Sequence, residues 1–215
     1  MSFSKDAWEA IAPIRKAIDE LPLLTGMENG TLPRDTFVYY IAQDAHYLAD
    51  YGRVLAAAAS QTTDADELLF WARSAHTTVI VERELHAAHV ADFAAIPKSP
   101  PCTAYTSYLF SLAATGRYPA LAAGIVPCFW IYEDVGRRLK ERVGDLTGHP
   151  YADWISTYGD PQFAASTEQT KQILDRLAAQ ADLGTVERMH QAFATASRYE
   201  WMFWDAAWRQ ETWPV

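Results

Sequence analysis

Apolar residues recur three and four positions apart along nearly the whole chain, and this spacing constrains the fold more than any other feature. A helical face collects residues at that period, whereas a half-buried strand needs strict alternation. Alternation is confined to short ambiguous runs such as Thr77 to Val81. The chain therefore reads as all-α, and its prolines and glycines divide it. A first helix is predicted from about Ser4 to Leu21. After a loop with Gly26, Gly30 and Pro33, a long helix runs from about Arg34 to Ser60, with Pro33 near its first turn. The third starts near Asp64, where Asp64 and Glu67 have capping-box spacing, and runs to about Phe93, ended by the prolines of AAIPKSPP. A fourth covers about Thr103 to Thr115, with Gly116 as its C-cap. The fifth runs from about Pro119 to Val143 and contains Pro127. Beyond Gly144, Gly148 and Pro150 comes a short helix near Tyr151 to Thr157, then a break at Gly159 and Pro161. Two last helices, about Gln162 to Ala181 and Thr185 to Gln210, are separated by Gly184.

No repeat, low-complexity tract or linker interrupts this pattern, so residues 1–215 are expected to form one domain, a bundle of seven to eight helices. With 50% hydrophobic and 21% charged residues, a chain of this length can bury roughly 70% of its unfolded surface. Net charge is −9, with Lys and Arg scattered, which argues against nucleic acid or an anionic membrane as partner. No window reaches the roughly 18 consecutive apolar residues of a membrane span, and MSFSKDAWEAIAPIRK has no signal-peptide core, so a cytoplasmic protein is expected. In a reducing compartment Cys102 and Cys128 are both free thiols, with Cys102 among prolines in a predicted surface loop. Eight Trp, eleven Tyr and nine Phe exceed what a core needs and hint at a pocket for a flat ligand.

Three polar anomalies carry the chemistry. Tyr40, Asp44, Tyr47 and Tyr51 fall at i, i+4, i+7 and i+11, which sets a carboxylate in a stripe of phenols. Such a carboxylate must be hydrogen-bonded or paired; it is either structural, held by a tyrosine or by Arg53, or part of a site. In GIVPCFWIYEDVGRRL, Pro127 should bend the fifth helix just before Cys128, with Gly124 easing the bend and Tyr132 one turn on. Cys128 is either an inert small hydrophobe or a thiol aimed off the helical path. Glu200, among Tyr199, Trp201, Phe203 and Trp204, is either solvated or buried with the raised pKa of a general acid. Metal is not expected. Glu82, Glu84, His86 and His89 share one helix, but a helical di-iron site wants a Glu-x-x-His pair from each of two helices plus further carboxylates, a set this chain does not offer.

The segments FVYYIAQDAHYLADYGRVLAAAAS, AYTSYL, PCFWIYEDVGRRL, WISTYGDPQF and SRYEWMFWDAAW occur in the order and spacing of the TenA or thiaminase II family. The chain resembles that family over essentially its whole length. The resemblance implies the haem-oxygenase-like helical fold without haem or other cofactor, a homotetramer, and hydrolysis of aminopyrimidines in thiamin salvage. In that chemistry 4-amino-5-aminomethyl-2-methylpyrimidine releases its amine to give hydroxymethylpyrimidine, and many members also cleave thiamin. It further implies Cys128 as nucleophile, Glu200 as catalytic acid, Asp44 as pyrimidine-binding carboxylate, and Tyr47, Tyr105, Tyr132 and Tyr158 around the substrate. Tyr51 rests mainly on its helical stripe. The intact PCFW segment resembles the Cys-containing branch of the family. The thiolate would need a neighbouring base or donor such as Tyr105. Two other functions remain open at this stage: an oxidase on the same fold, and a non-catalytic pyrimidine-binding protein.

Overall fold

A computed structural model describes residues 2–89 and 96–215, the side chains of 81–89 excepted. All regular structure among them is helical: α1 (Phe3–Ala10), α2 (Ala12–Asp19), α3 (Pro22–Glu28), α4 (Arg34–Gln61), α5 (Ala65–His89), α6 (Pro100–Ala114), α7 (Tyr118–Val143), α8 (Ala152–Tyr158), α9 (Pro161–Gln180) and α10 (Leu183–Trp208). The all-α class is as expected, but the first predicted helix, Ser4 to Leu21, is two, α1 and α2, and Pro22 begins a third. Pro13 and Pro22 each occupy a first turn, which starts a new helix and stops the one before it. The segment predicted as a loop around Gly26 is in fact α3. The predicted end of α5 near Phe93 lies outside the described residues.

Short polar side chains set the helix starts. Ser99 accepts from Cys102 N, Asp160 from Gln162 N and Asp182 from Thr185 N, each satisfying a backbone donor that the helix leaves open. Asp64 caps α5 by accepting from the amides of Asp66 and Glu67, both at 2.9 Å. Glu67 does not return the bond as a capping box would. Its side chain is buried, accepting from Thr62 Oγ1 at 3.0 Å, from the Tyr118 hydroxyl and from Arg176 Nη2 at 3.2 Å. One carboxylate thereby ties the start of α5 to α7 and α9.

Helix α4 packs along α5, and α7 packs along α10; these four, with α6, surround the centre of the core. Cys102 is corrected: it is in the first turn of α6, fully buried, with its thiol on the Gln43 carbonyl at 3.6 Å. Helix α7 runs unbroken through Pro127. Gly124 has a packing role there, because a Cβ would come 2.4 Å from Leu112 Cδ1 on α6. Gly136 does more: a Cβ would meet Tyr158 C at 2.5 Å and its Cβ at 2.6 Å, so only glycine lets the end of α8 lie against α7. Lys140, one turn on, donates to Gly159 O at 3.1 Å and fixes the same junction.

Candidate active site

Helix α4 contributes Asp44, Tyr47 and Tyr51 along one stripe, α6 Tyr105, α7 Cys128 and Tyr132, α8 Tyr158 and α10 Glu200. The fold brings all eight into one cluster. A cavity of about 210 Å³ is lined by Asp44, Tyr51, Cys128, Tyr132 and Tyr158, with Phe70, Phe129 and Phe163 as apolar walls. Its mouth opens between α5 and α9, where Arg73, Thr77 and Gln169 are exposed. Such a concave, mostly apolar space with a few convergent polar groups is the usual form of a small-molecule site.

Tyr47, Tyr105 and Glu200 stand in a second row behind Cys128. The Tyr47 ring packs on Tyr51 at 5.2 Å and on Tyr105 at 4.9 Å between centroids. Tyr105 donates to Glu200 Oε1 at 2.7 Å. Glu200 is only 1% exposed, and burial raises its pKa to about 8, with the Asp44 charge adding to the rise and Tyr105 opposing it. At neutral pH it therefore holds a proton. The solvated alternative for Glu200 is excluded.

Cys128 keeps some exposure and lines the cavity. Burial pushes its thiol well above the ordinary value, Glu200 pushes it further whenever it is ionised, and the hydroxyls of Tyr47 and Tyr51 pull it down. The expected helper is thereby changed. Tyr105 spends its proton on Glu200, and Tyr51 donates to Ile125 O at 2.9 Å. The Tyr47 hydroxyl is buried near the Cys128 sulfur and makes no well-formed hydrogen bond among the described residues, so its proton is available to a thiolate.

Arg53 does not hold Asp44; it is exposed on the outer side of α4 and reaches Ala49 O and Asp50. His46, beside Asp44 in sequence, faces the Ile96 carbonyl at 2.8 Å and is not part of the cavity wall. The side chains of Glu82, Glu84, His86 and His89 lie outside the described residues. Glu187 and His190 on α10 do form one Glu-x-x-His step, but Glu187 accepts from Gln191 and the His190 ring packs on Phe3. No group of three or more potential metal ligands occurs among the described residues. No described helix is long and apolar enough to cross a membrane.

Sequence reasoning left out Phe70, Phe129 and Phe163, and also Tyr40, Trp154 and Trp204 behind Tyr132. Tyr40 and Trp204 had signals, since Tyr40 heads the stripe that holds Asp44 and Trp204 stands in the aromatic stretch around Glu200; the others are ordinary apolar positions by spacing alone.

The family model described as TENA/THI-4/PQQC matches residues 8–210. The chain belongs to that family. It is 31% identical over 221 residues to the aminopyrimidine aminohydrolase of Halalkalibacterium halodurans, covering 99% of this chain and 98% of that one. It is 36% identical to the thiamine biosynthesis multifunctional protein ThiED of Corynebacterium glutamicum, covering 96% of this chain but only 27% of that longer protein. A TenA homologue from P. horikoshii OT3 superposes with a TM-score of 0.85 at 24% identity, over 97% of this chain and 99% of that one. The haem-oxygenase-like bundle implied by the resemblance is thus the fold of this member of the TENA/THI-4/PQQC family.

Proposed function

We propose that the chain is an aminopyrimidine aminohydrolase of the thiaminase II type, acting in thiamin salvage. The observation that carries this reading is the pairing of a cavity-facing Cys128 thiol with a buried, protonated Glu200 directly behind it. The name of the H. halodurans relative supports the substrate class.

The electron-poor pyrimidine lies on the aromatic wall, with its 4-amino group donating to Asp44. Glu200 passes its proton toward a ring nitrogen and takes the thiol proton in its place, so that sulfur bonds to the activated ring carbon. Tyr47, the unspent hydroxyl, donates to the sulfur while it is charged. Electrons of the dearomatised ring then break the bond from the exocyclic methylene to the protonated amine, which leaves. Water adds to that methylene and gives its extra proton to the released amine; Glu200 then returns its proton to sulfur and takes back the ring N–H proton as the carbon–sulfur bond breaks and the ring regains aromaticity. Residues 1–215 act in this scheme as one domain, in a cytoplasmic homotetramer that needs no cofactor.

The test is incubation with aminomethylpyrimidine, formylaminopyrimidine and thiamin, followed by assay of released amine and hydroxymethylpyrimidine. Cys128→Ser should lose release by several orders of magnitude while still binding hydroxymethylpyrimidine. Turnover near wild type in that variant removes Cys128 as nucleophile, and binding without release in the wild type leaves a pyrimidine-binding protein.

A further inference from the structure

Behind the cavity wall four aromatic side chains from four helices share hydrogen bonds. Trp154 Nε1 on α8 donates to the Tyr40 hydroxyl oxygen at 3.0 Å, and Trp204 Nε1 on α10 donates to the Tyr132 hydroxyl oxygen at 3.1 Å. The two hydroxyl oxygens, from α4 and α7, are 3.3 Å apart. Tyr40, Trp154 and Trp204 are almost wholly buried and do not line the cavity, whereas Tyr132 does, beside Asp44.

Donor and acceptor counting settles the direction of this chain. An indole N–H only donates, and a phenol has one hydrogen and two acceptor positions. The bond between the phenols therefore consumes one hydrogen, from one side or the other. If Tyr132 supplied it, the Tyr40 hydrogen would be left in the packed interior, because among the described residues Tyr40 makes no side-chain hydrogen bond besides those with Trp154 and Tyr132. Leaving a buried donor unmade costs far more than a hydrogen bond exchanged with water. Tyr40 donating to Tyr132 leaves no such orphan. The Tyr132 oxygen then receives Tyr40 and Trp204 together, both of its acceptor positions are filled, and its own hydrogen is the one group of the network left to face the cavity.

We infer that Tyr40, with Trp154 and Trp204, is a positioning residue that makes the Tyr132 hydroxyl an obligate hydrogen-bond donor toward the cavity. Beside it the Asp44 carboxylate, when ionised, is an obligate acceptor. That wall then selects a planar ligand that presents a ring acceptor to Tyr132 and an N–H to Asp44, and it disfavours an isostere with C–H in place of the acceptor. That the acceptor is a pyrimidine nitrogen rests on the aminopyrimidine reading; the polarity of the hydroxyl does not.

Two measurements decide the matter. A neutron structure of the ligand-free, deuterium-exchanged protein should show the Tyr40 deuteron pointing at the Tyr132 oxygen and the Tyr132 deuteron pointing into the cavity; the reverse arrangement overturns the inference. Binding of hydroxymethylpyrimidine is then compared with that of its two pyridine counterparts, each with one ring nitrogen replaced by C–H. Wild type should bind one of the two at least about tenfold more weakly than the pyrimidine, the cost of an unmet buried donor. In Tyr40→Phe, and separately in Trp204→Phe, that preference should fall below about threefold, because the Tyr132 oxygen regains a free acceptor position and its hydrogen can turn away. A merely structural loss would weaken all three ligands alike, and an unchanged preference in a folded variant overturns the inference. A protein that binds none of the three sinks the aminopyrimidine reading, and the deuterium positions still decide the polarity.

Discussion

Glu200 holds a proton that a surface glutamate would have lost, and the fold works against itself to keep it there. Its pKa rises from an ordinary 4.5 to about 8 through burial, so folding favours the neutral acid over the anion. The stability this gives is complete at pH below about 4.5 and is lost as pH rises through about 8. Glu200→Gln, neutral at every pH, should flatten that decline and raise the melting temperature of the variant relative to wild type at pH 8 to 9. The same substitution should remove the alkaline fall of turnover that follows loss of the Glu200 proton, together with most of the activity. Melting curves and pH–rate profiles measured together check both; parallel stability curves for the two proteins remove Glu200 as the acid. Tyr47 gives the complementary case. Its hydroxyl is buried without a well-formed hydrogen bond among the described residues, so Tyr47→Phe should leave the protein as stable as before or about 1 kcal/mol more stable, by deleting an unsatisfied group. It should also slow thiol alkylation at fixed pH by roughly tenfold, since a hydrogen bond to a charged group contributes about 1.5 kcal/mol or more. Alkylation at the wild-type rate assigns the thiolate donor elsewhere. Sequence spacing put Tyr47 on the right face, but it could not show which phenol keeps its proton unspent, because that depends on where Ile125 O and Glu200 lie in space.

Helix α8 illustrates what holds the site together at the next scale. Seven residues make too short a helix to be stable alone, so its place comes from packing. Its last residue, Tyr158, lies against α7 because Gly136 has no Cβ. Gly136→Ala drives a methyl into the Tyr158 backbone, which cannot move without the helix, and should cost about 1–3 kcal/mol and weaken pyrimidine binding by displacing the cavity wall. Gly124→Ala meets only the end of the Leu112 side chain, which can rotate, and should leave binding unchanged. Calorimetric binding and thermal unfolding of the two variants separate the cases, and equal losses of affinity would show that α8 is not held through Gly136. The long helices were legible because α4, α7, α9 and α10 each repeat the helical period over many turns and begin at a Pro or a capping Asp. The N-terminal three were not, since proline at a first turn continues the apolar period while breaking the helix. Cys102 misled for a similar reason: prolines that suggest a surface loop also begin a buried helix.

Across the whole molecule, α5 carries an imbalance that the isolated chain does not resolve. Glu67, Phe70, Trp71, Ser74 and Thr78 face inward or toward the cavity, anchored by the Glu67 carboxylate. On the opposite side Leu68, Leu69, Val79 and Ile80 fall within a stripe of about 120° at the 3.6-residue period, and Leu69 is 59% exposed. Trp208 and Trp213 near the C-terminus are also exposed, although the Trp213 indole donates to Lys98 O. Scattered apolar residues on a surface need no cover, but large apolar side chains gathered on one side of one helix are the kind of surface that subunits bury. The aromatic excess that first pointed to a planar ligand therefore divides between cavity, core and outer face, a division that composition alone could not make. The expectation is a multimer in solution whose mass falls when the stripe is charged. Leu69→Asp with Ile80→Asp should shift light-scattering mass toward one chain, since both side chains are exposed and neither lines the cavity. Pyrimidine binding per chain serves as the control for folding. A wild type that runs as a monomer at micromolar concentration, or a doubly charged variant that keeps the wild-type mass, would show that this face of α5 is not an interface between copies.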